Sequence, residues 1–240
     1  MVQHFNFSQI PLSIVLRSDT TFDNFVTQNN NMVVDFLKQS IISFNDKTQQ
    51  ERFIYLWGQE GSGKTHLLQA CCHAVGQEQK SAFYLSLENL QDYVPTMLQG
   101  LESVDLICLD DLHFLSDKPD WQEGLFHLYN RCLNTNTRLI FADRKSASDL
   151  NLTLADLKSR LSSVLSFEIY ELSDEEKLKI LVKRAKEQGM ILSEEVSMFV
   201  WRRSNRSMKH LLEILNKLAC ASLSAKHKLT IPFVKAVLNI

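Results

Sequence analysis

The chain has 240 residues, 45% of them hydrophobic and 22% charged, with a formal net charge of -2. That is an ordinary globular composition with enough chain for one or two domains and a real core, and it excludes disordered, collagen-like and fibrous classes. Only 7 Gly and 4 Pro favour few loops and many helices, hence a helical or α/β class.

No run of about 18 apolar residues occurs, and Met1 to Gln9 lacks the basic and apolar regions of a signal peptide, so a cytoplasmic protein with no membrane partner is expected. Five cysteines, with no C-x-x-C, read as inert thiols rather than a disulfide framework or zinc site. His66 and His73 lack metal-ligand spacing and read as helix residues. From Ser173 onward there are 13 Lys+Arg against 7 Asp+Glu, a net of +6, which leaves -8 for residues 1–172. Such asymmetry hints at two modules; solvated helix faces and a basic surface for phosphate or an acidic partner account for it equally well.

In chain order, Met32, Val33, Phe36, Leu37 and Ile41 have the apolar spacing of an amphipathic helix. Phe53 to Trp57 is a short β-like run leading through a Gly-containing turn into a helix over Lys64 to Val75. Four more β-like runs are predicted at Ala82–Leu87, Val104–Leu109, Arg138–Ala142 and Phe167–Leu172, separated by helices at Glu88–Leu98, Trp121–Leu133 and Leu154–Ser163. Strands alternating with helices imply a mostly parallel five-stranded sheet covered on both faces. The β signal then stops. Ser173 with Glu176 forms a predicted capping box opening a helix to Gln188, and helices follow at Ser193–Arg203, Ser207–Leu223 and Ile231–Leu238, a separate helical bundle.

Between the first strand and its helix stands Gly58-Gln59-Glu60-Gly61-Ser62-Gly63-Lys64-Thr65, a full G-x4-G-K-[ST]. The glycines let backbone N–H groups face phosphates, the helix N-terminus adds positive potential, Lys64 reaches the β/γ oxygens and the Thr65 hydroxyl can hold Mg2+. A chain of this composition holds about 0.002 such matches by chance, and the required strand and helix flank this one.

The third β-like run ends in Asp110-Asp111, where open α/β sheets bind ligands. Asp110 can serve the Mg2+ and Asp111 can orient water; the bland alternative is a turn or capping pair. The fourth run ends in Asp143-Arg144, beside the strand of Asp110 and within reach of a γ-phosphate. Arg160 closes the helix before the fifth run, and a guanidinium there can project to a neighbouring subunit or simply neutralise a helix C-terminus.

These residues in this order, with a helical bundle behind them, resemble an AAA+ module. The resemblance is closest to the family of the replication initiator DnaA and, within it, to the DnaA regulatory inactivators (Hda), and runs from Gln9 to Ile240. It is carried further by Thr21-Phe22-Asp23-Asn24-Phe25, similar to the segment that frames the adenine, by Leu128-Tyr129-Asn130-Arg131 and by Leu229-Thr230-Ile231-Pro232-Phe233-Val234-Lys235. It implies an α/β AAA+ P-loop core with a small all-helical lid, divided as 1–20, 21–172 and 173–240. The chain stops soon after the lid, so no sequence-specific DNA-binding domain of the initiator's kind is expected.

Gln9-Ile10-Pro11-Leu12-Ser13-Ile14 is similar to the sliding-clamp-binding peptide of polymerases and of the inactivators, which implies Gln9, Ile10, Leu12 and Ile14 as clamp contacts; the bland alternative is an N-terminal strand or staple on the core. The resemblance implies Phe22, Phe25, Gly58, Gly61, Ser62, Gly63, Lys64, Thr65 and His66 around an ADP or ATP, and Mg2+ at Thr65 and Asp110. Asp110 and Asp111 would be the Walker B pair, Asp143 sensor 1, and Arg160 a finger aimed at ATP on DnaA. Lys209 stands where the family has its sensor 2 arginine, and an ammonium cannot make the planar guanidinium fork. Expected partners are the clamp β subunit and DnaA, with a homo-oligomer left open. The implied role is regulatory inactivation of the initiator, an activator of hydrolysis more than an efficient ATPase. An adaptor or helicase-loader-like factor without that activity, and a self-contained ATPase or kinase, are the alternatives.

Overall fold

The computed structural model describes residues 20–42, 51–225 and 229–239. The described residues fall into two compact units, dividing between Tyr170 and Glu171.

The first unit contains α1 (Asn31–Ile42), β1 (Phe53–Trp57), α2 (Lys64–Gln77), β2 (Ala82–Ser86), β3 (Leu106–Asp110), α3 (Pro119–Leu133), β4 (Arg138–Asp143), α4 (Ala155–Ser162) and β5 (Leu165–Glu168). The strands form one sheet in the order β2-β3-β4-β1-β5, and every pairing is parallel. Side chains alternate across it. Ile54, Leu56, Leu106, Cys108, Ile140 and Ala142 pack with Leu67, Leu68, Cys71 and Val75 of α2 and with Val33, Val34 and Leu37 of α1. Tyr55, Phe83, Leu85, Ile107, Leu109, Leu139 and Phe141 face the other way, with Leu125 and Leu128 of α3 and Leu157 and Leu161 of α4. A strand buried on both faces has no polar face to show, which is why β3 and β4 read as continuous apolar runs.

Two expectations are corrected. No α-helix covers Glu88–Leu98; short 3-10 turns occupy Leu87–Asp92 and Pro95–Leu98 instead. Pro95 pushes Val94 into extended backbone (φ -122°, ψ 148°), and Asn89 at φ -110°, ψ 39° breaks the first turn. The last strand is Leu165–Glu168, not Phe167–Leu172, with Leu165 opposite Ile54 and Glu168 opposite Trp57. It pairs on one side only and exposes Ser166 and Glu168, so its own apolar residues do not mark its start.

The second unit holds α5 (Asp174–Glu187), α6 (Glu194–Arg203), α7 (Met208–Ala225) and α8 (Ile231–Leu238) around Leu181, Val196, Val200, Trp201, Leu211, Leu215, Leu218 and Val234. Its first helix opens on the predicted capping box: Ser173 Oγ accepts from Glu176 N at 3.3 Å, and the Glu176 carboxylate accepts from Ser173 N at 2.5 Å. Among the described residues no helix is long and apolar enough to cross a membrane.

Candidate functional site

The loop Gly58–Gly63 joins the carboxyl end of β1 to the N-terminus of α2, so its peptide N–H groups and the positive end of a 14-residue helix share one place. Two glycines are forced by the space there. A Cβ on Gly58 would lie 2.3 Å from the Ile169 carbonyl oxygen, and Gly63, at φ +102°, would carry one 2.6 Å from the Phe25 ring. Lys64 Nζ donates to the carbonyls of Gly58 (2.7 Å) and Gln59 (2.8 Å) and to Ser62 Oγ (3.3 Å), which lays the ammonium across the inside of the loop. Burial lowers the Lys64 pKa, while Asp110, Asp111 and Asp143 pull it back up. The loop thus concentrates donors and one cation around a phosphate-sized curve of backbone.

Asp110 ends β3 and is 1% exposed. Its Oδ2 accepts from Thr65 Oγ1 at 2.6 Å and from Tyr84 Oη at 3.1 Å, and its Oδ1 from Asp111 N at 3.1 Å. Burial and then the neighbouring Asp111 carboxylate push its pKa up to about 6, against the lowering pull of the Thr65 and Tyr84 hydroxyls and Lys64. Asp111 takes left-handed backbone (φ 61°) and accepts weakly from Ser86 Oγ at 3.3 Å. A hydroxyl and a carboxylate in contact are hard oxygen donors of the kind Mg2+ prefers. Among the described residues no group of three or more His, Cys, Asp or Glu could hold a metal, so a cation at Thr65 and Asp110 would draw the rest of its shell from water or a bound ligand.

Asp143 ends β4, next to β3, and is fully buried. Its Oδ2 accepts from His113 N (2.6 Å) and meets His113 Nδ1 (2.9 Å), and its Oδ1 accepts from Lys145 N (3.1 Å). Asp110, Asp111 and Asp143 therefore converge with Lys64 at the carboxyl end of the sheet. His113 and Tyr84 were not singled out in the sequence. The signal for His113 is its place two residues past Asp111; Tyr84 looked like any strand aromatic, and only the β2–β3 register, with Ser86 opposite Asp110, brings it to the carboxylate.

Phe25 lies over Gly63, and its ring centroid is 5.4 Å from that of His66. His66 Nε2 is 2.8 Å from the Thr21 carbonyl. An aromatic wall thus stands against the loop, while Phe22 is buried in the apolar layer with α1 and α2. Arg160 is exposed in the last turn of α4, before the amino end of β5, with its guanidinium 5.8 Å from the Tyr129 ring centroid. In a parallel sheet that is the end opposite the phosphate loop. A cleft of about 430 Å³ opens at this far end, lined by Glu51, Arg52, Tyr129, Leu133 and Ser163 among others. Lys209 falls in the first turn of α7. Nothing of its side chain is described, and Gln9, Ile10, Leu12 and Ile14 lie outside the described residues.

The bacterial DnaA ATPase domain matches residues 16–168, and the lid domain of Hda matches residues 174–238. An uncharacterized protein of Haemophilus influenzae is 38% identical over 233 residues, covering 97% of this chain and 99% of that protein. Domain III of DnaA from Thermotoga maritima superimposes with a TM-score of 0.74 at 24% identity, over 94% of this chain and 98% of that one, a likeness of fold. AMPPCP-bound DnaA from Aquifex aeolicus gives a TM-score of 0.69 at 26% identity, over 87% of this chain and 68% of that one. The sheet order, the phosphate loop and the helical second unit agree with these matches. The chain belongs to the DnaA-related AAA+ family, with an ATPase domain of the bacterial DnaA type followed by a lid of the Hda type.

Proposed function

We propose that this chain is a cytoplasmic regulator of replication initiation that binds ADP or ATP with Mg2+, docks on the DNA-loaded sliding clamp, and stimulates hydrolysis of ATP held by DnaA. The observation that carries the reading is the placement of two chemistries at opposite ends of one parallel sheet. The phosphate loop and its carboxylates stand at the carboxyl end, and exposed Arg160 stands at the amino end of β5. A guanidinium there serves a phosphate on another molecule, not its own.

The division of labour follows. Gly58 to Gly63 present backbone donors to the phosphates, and Lys64 exchanges its carbonyl partners for phosphate oxygens. Thr65 and Asp110 are the metal-holding pair, and Mg2+ when bound would neutralise phosphate charge. Phe25 and His66 form the wall for the base. Asp111 and Asp143 are the groups placed for the γ-phosphate end. Arg160 would supply positive charge in trans as charge builds on the DnaA-bound ATP, and the peptide Gln9–Ile14 would bring it there by way of the clamp.

The test is the hydrolysis rate of ATP prebound to DnaA, with this protein and ADP, with and without DNA-loaded clamp. Strong stimulation only with loaded clamp is expected. No stimulation in either condition would reduce the protein to a nucleotide-binding adaptor.

A further inference from the structure

The metal end of the site connects to a run of polar side chains, buried at Thr20, Gln69 and Asp110 and half-buried at Tyr84, that the phosphate-binding chemistry does not require. Thr20 Oγ1 donates to Gln69 Oε1 at 3.1 Å. The Gln69 side chain hydrogen-bonds the Tyr84 phenol, whose hydroxyl donates to Asp110 Oδ2 at 3.1 Å. Thr65 Oγ1 donates to the same oxygen at 2.6 Å. Thr20, Gln69 and Asp110 are 8%, 7% and 1% exposed.

The polarity of this run is consistent along its length. A Gln amide offers one carbonyl oxygen and one NH2, a phenol one donor and one acceptor face. With the Gln69 oxygen taken by Thr20, its NH2 is left for Tyr84, and the Tyr84 proton is committed to Asp110. Local structure fixes each member. Thr65 and Gln69 stand four residues apart on one face of α2, and Tyr84 pairs with Cys108 in the β2–β3 ladder, two residues before Asp110 and on the same face. Partly satisfied polar groups in such surroundings are costly, so the members hold or fail together.

We propose that Tyr84 and Gln69 are positioning residues for the metal-holding carboxylate Asp110, and that through Thr20 they tie metal–nucleotide occupancy to the chain that leads in from the N-terminal peptide. This rests on the nucleotide reading of the phosphate loop. Thr20 follows Ile14, the last residue of that peptide, by six positions. Any partner that displaces Thr20 then alters metal-dependent nucleotide affinity, and by linkage Mg2+ and nucleotide alter affinity for that partner by the same factor.

The experiment is titration of the full chain with the fluorescent analogue mant-ADP, in MgCl2 and in EDTA. The gain in affinity from Mg2+ should fall about tenfold in Tyr84→Phe and about threefold in Thr20→Val, with affinity in EDTA unchanged. Both variants remove a single hydroxyl proton donor and keep side-chain shape close to the original. The double variant should lose less than the two losses combined, because both act along one run. An unchanged Mg2+ gain in both single variants, or full additivity, overturns the proposal. Failure of the unaltered protein to bind mant-ADP would instead overturn the nucleotide reading and this inference with it.

Discussion

The two ends of the sheet are built on different principles. At the carboxyl end Lys64, Asp110 and Asp143 are each held several times over. Lys64 has three oxygen partners, Asp110 accepts three hydrogen bonds, and Asp143 is engaged by His113 and Lys145. At the amino end Arg160 is exposed and rests over one ring, Tyr129. The first arrangement suits a resident ligand gripped in a fixed geometry, and the second suits a side chain that is completed by a partner.

That contrast breaks most sharply at Arg160. Arg160→Ala should cut stimulated hydrolysis of DnaA-bound ATP by about 10³ while leaving affinity for ADP unchanged, as read by single-turnover hydrolysis beside an ADP titration. Lys64→Ala should do the converse to the nucleotide site, weakening ADP binding by about a hundredfold in calorimetry without unfolding the sheet.

Asp110 sharpens the comparison, because a buried carboxylate kept for a metal costs stability without it. Its pKa in the folded protein, about 6, lies above the ordinary 3.8. The folded state therefore holds that proton more tightly than the unfolded chain, so its penalty is full above pH 6 and relieved as pH falls toward 4. At pH 7 Asp110→Asn should stabilise the ligand-free protein by about 1–3 kcal/mol in denaturant melts and abolish the dependence of ADP binding on Mg2+. In the unaltered protein the benefit of Mg2+ should fade below about pH 6, where proton and metal compete for Asp110. The smallest effect belongs to the second unit: Ser173→Ala should cost about 1 kcal/mol of its stability through the lost cap and leave ADP affinity unaltered.

The elements at the site were legible because their local signals agreed with the fold. The G-x4-G-K-[ST] run lies between a strand that matches the pattern at Phe53–Trp57 and a helix that begins where the pattern placed it, at Lys64, and runs two residues past the expected Val75 to Gln77. The capping box at Ser173 is likewise a purely local code. What was illegible depended on tertiary context. Apolar spacing over Glu88–Leu98 mimics a helix, and Pro95 with extended Val94 overrides it. The edge strand β5 is set by pairing with Ile54 to Trp57, not by its own residues. Tyr84 meets Asp110 only when parallel pairing carries the ends of β2 and β3 together, and His113, though two residues past Asp111, meets Asp143 only when β3 and β4 lie side by side.

The most direct test of the account is single-turnover hydrolysis of DnaA-bound ATP, driven by this protein with ADP and DNA-loaded clamp, comparing Arg160→Ala with the unaltered chain. The account predicts that the variant binds ADP and clamp normally and loses the stimulation. Full stimulation by Arg160→Ala would contradict it, and the charge acting on DnaA's nucleotide would have to come from elsewhere.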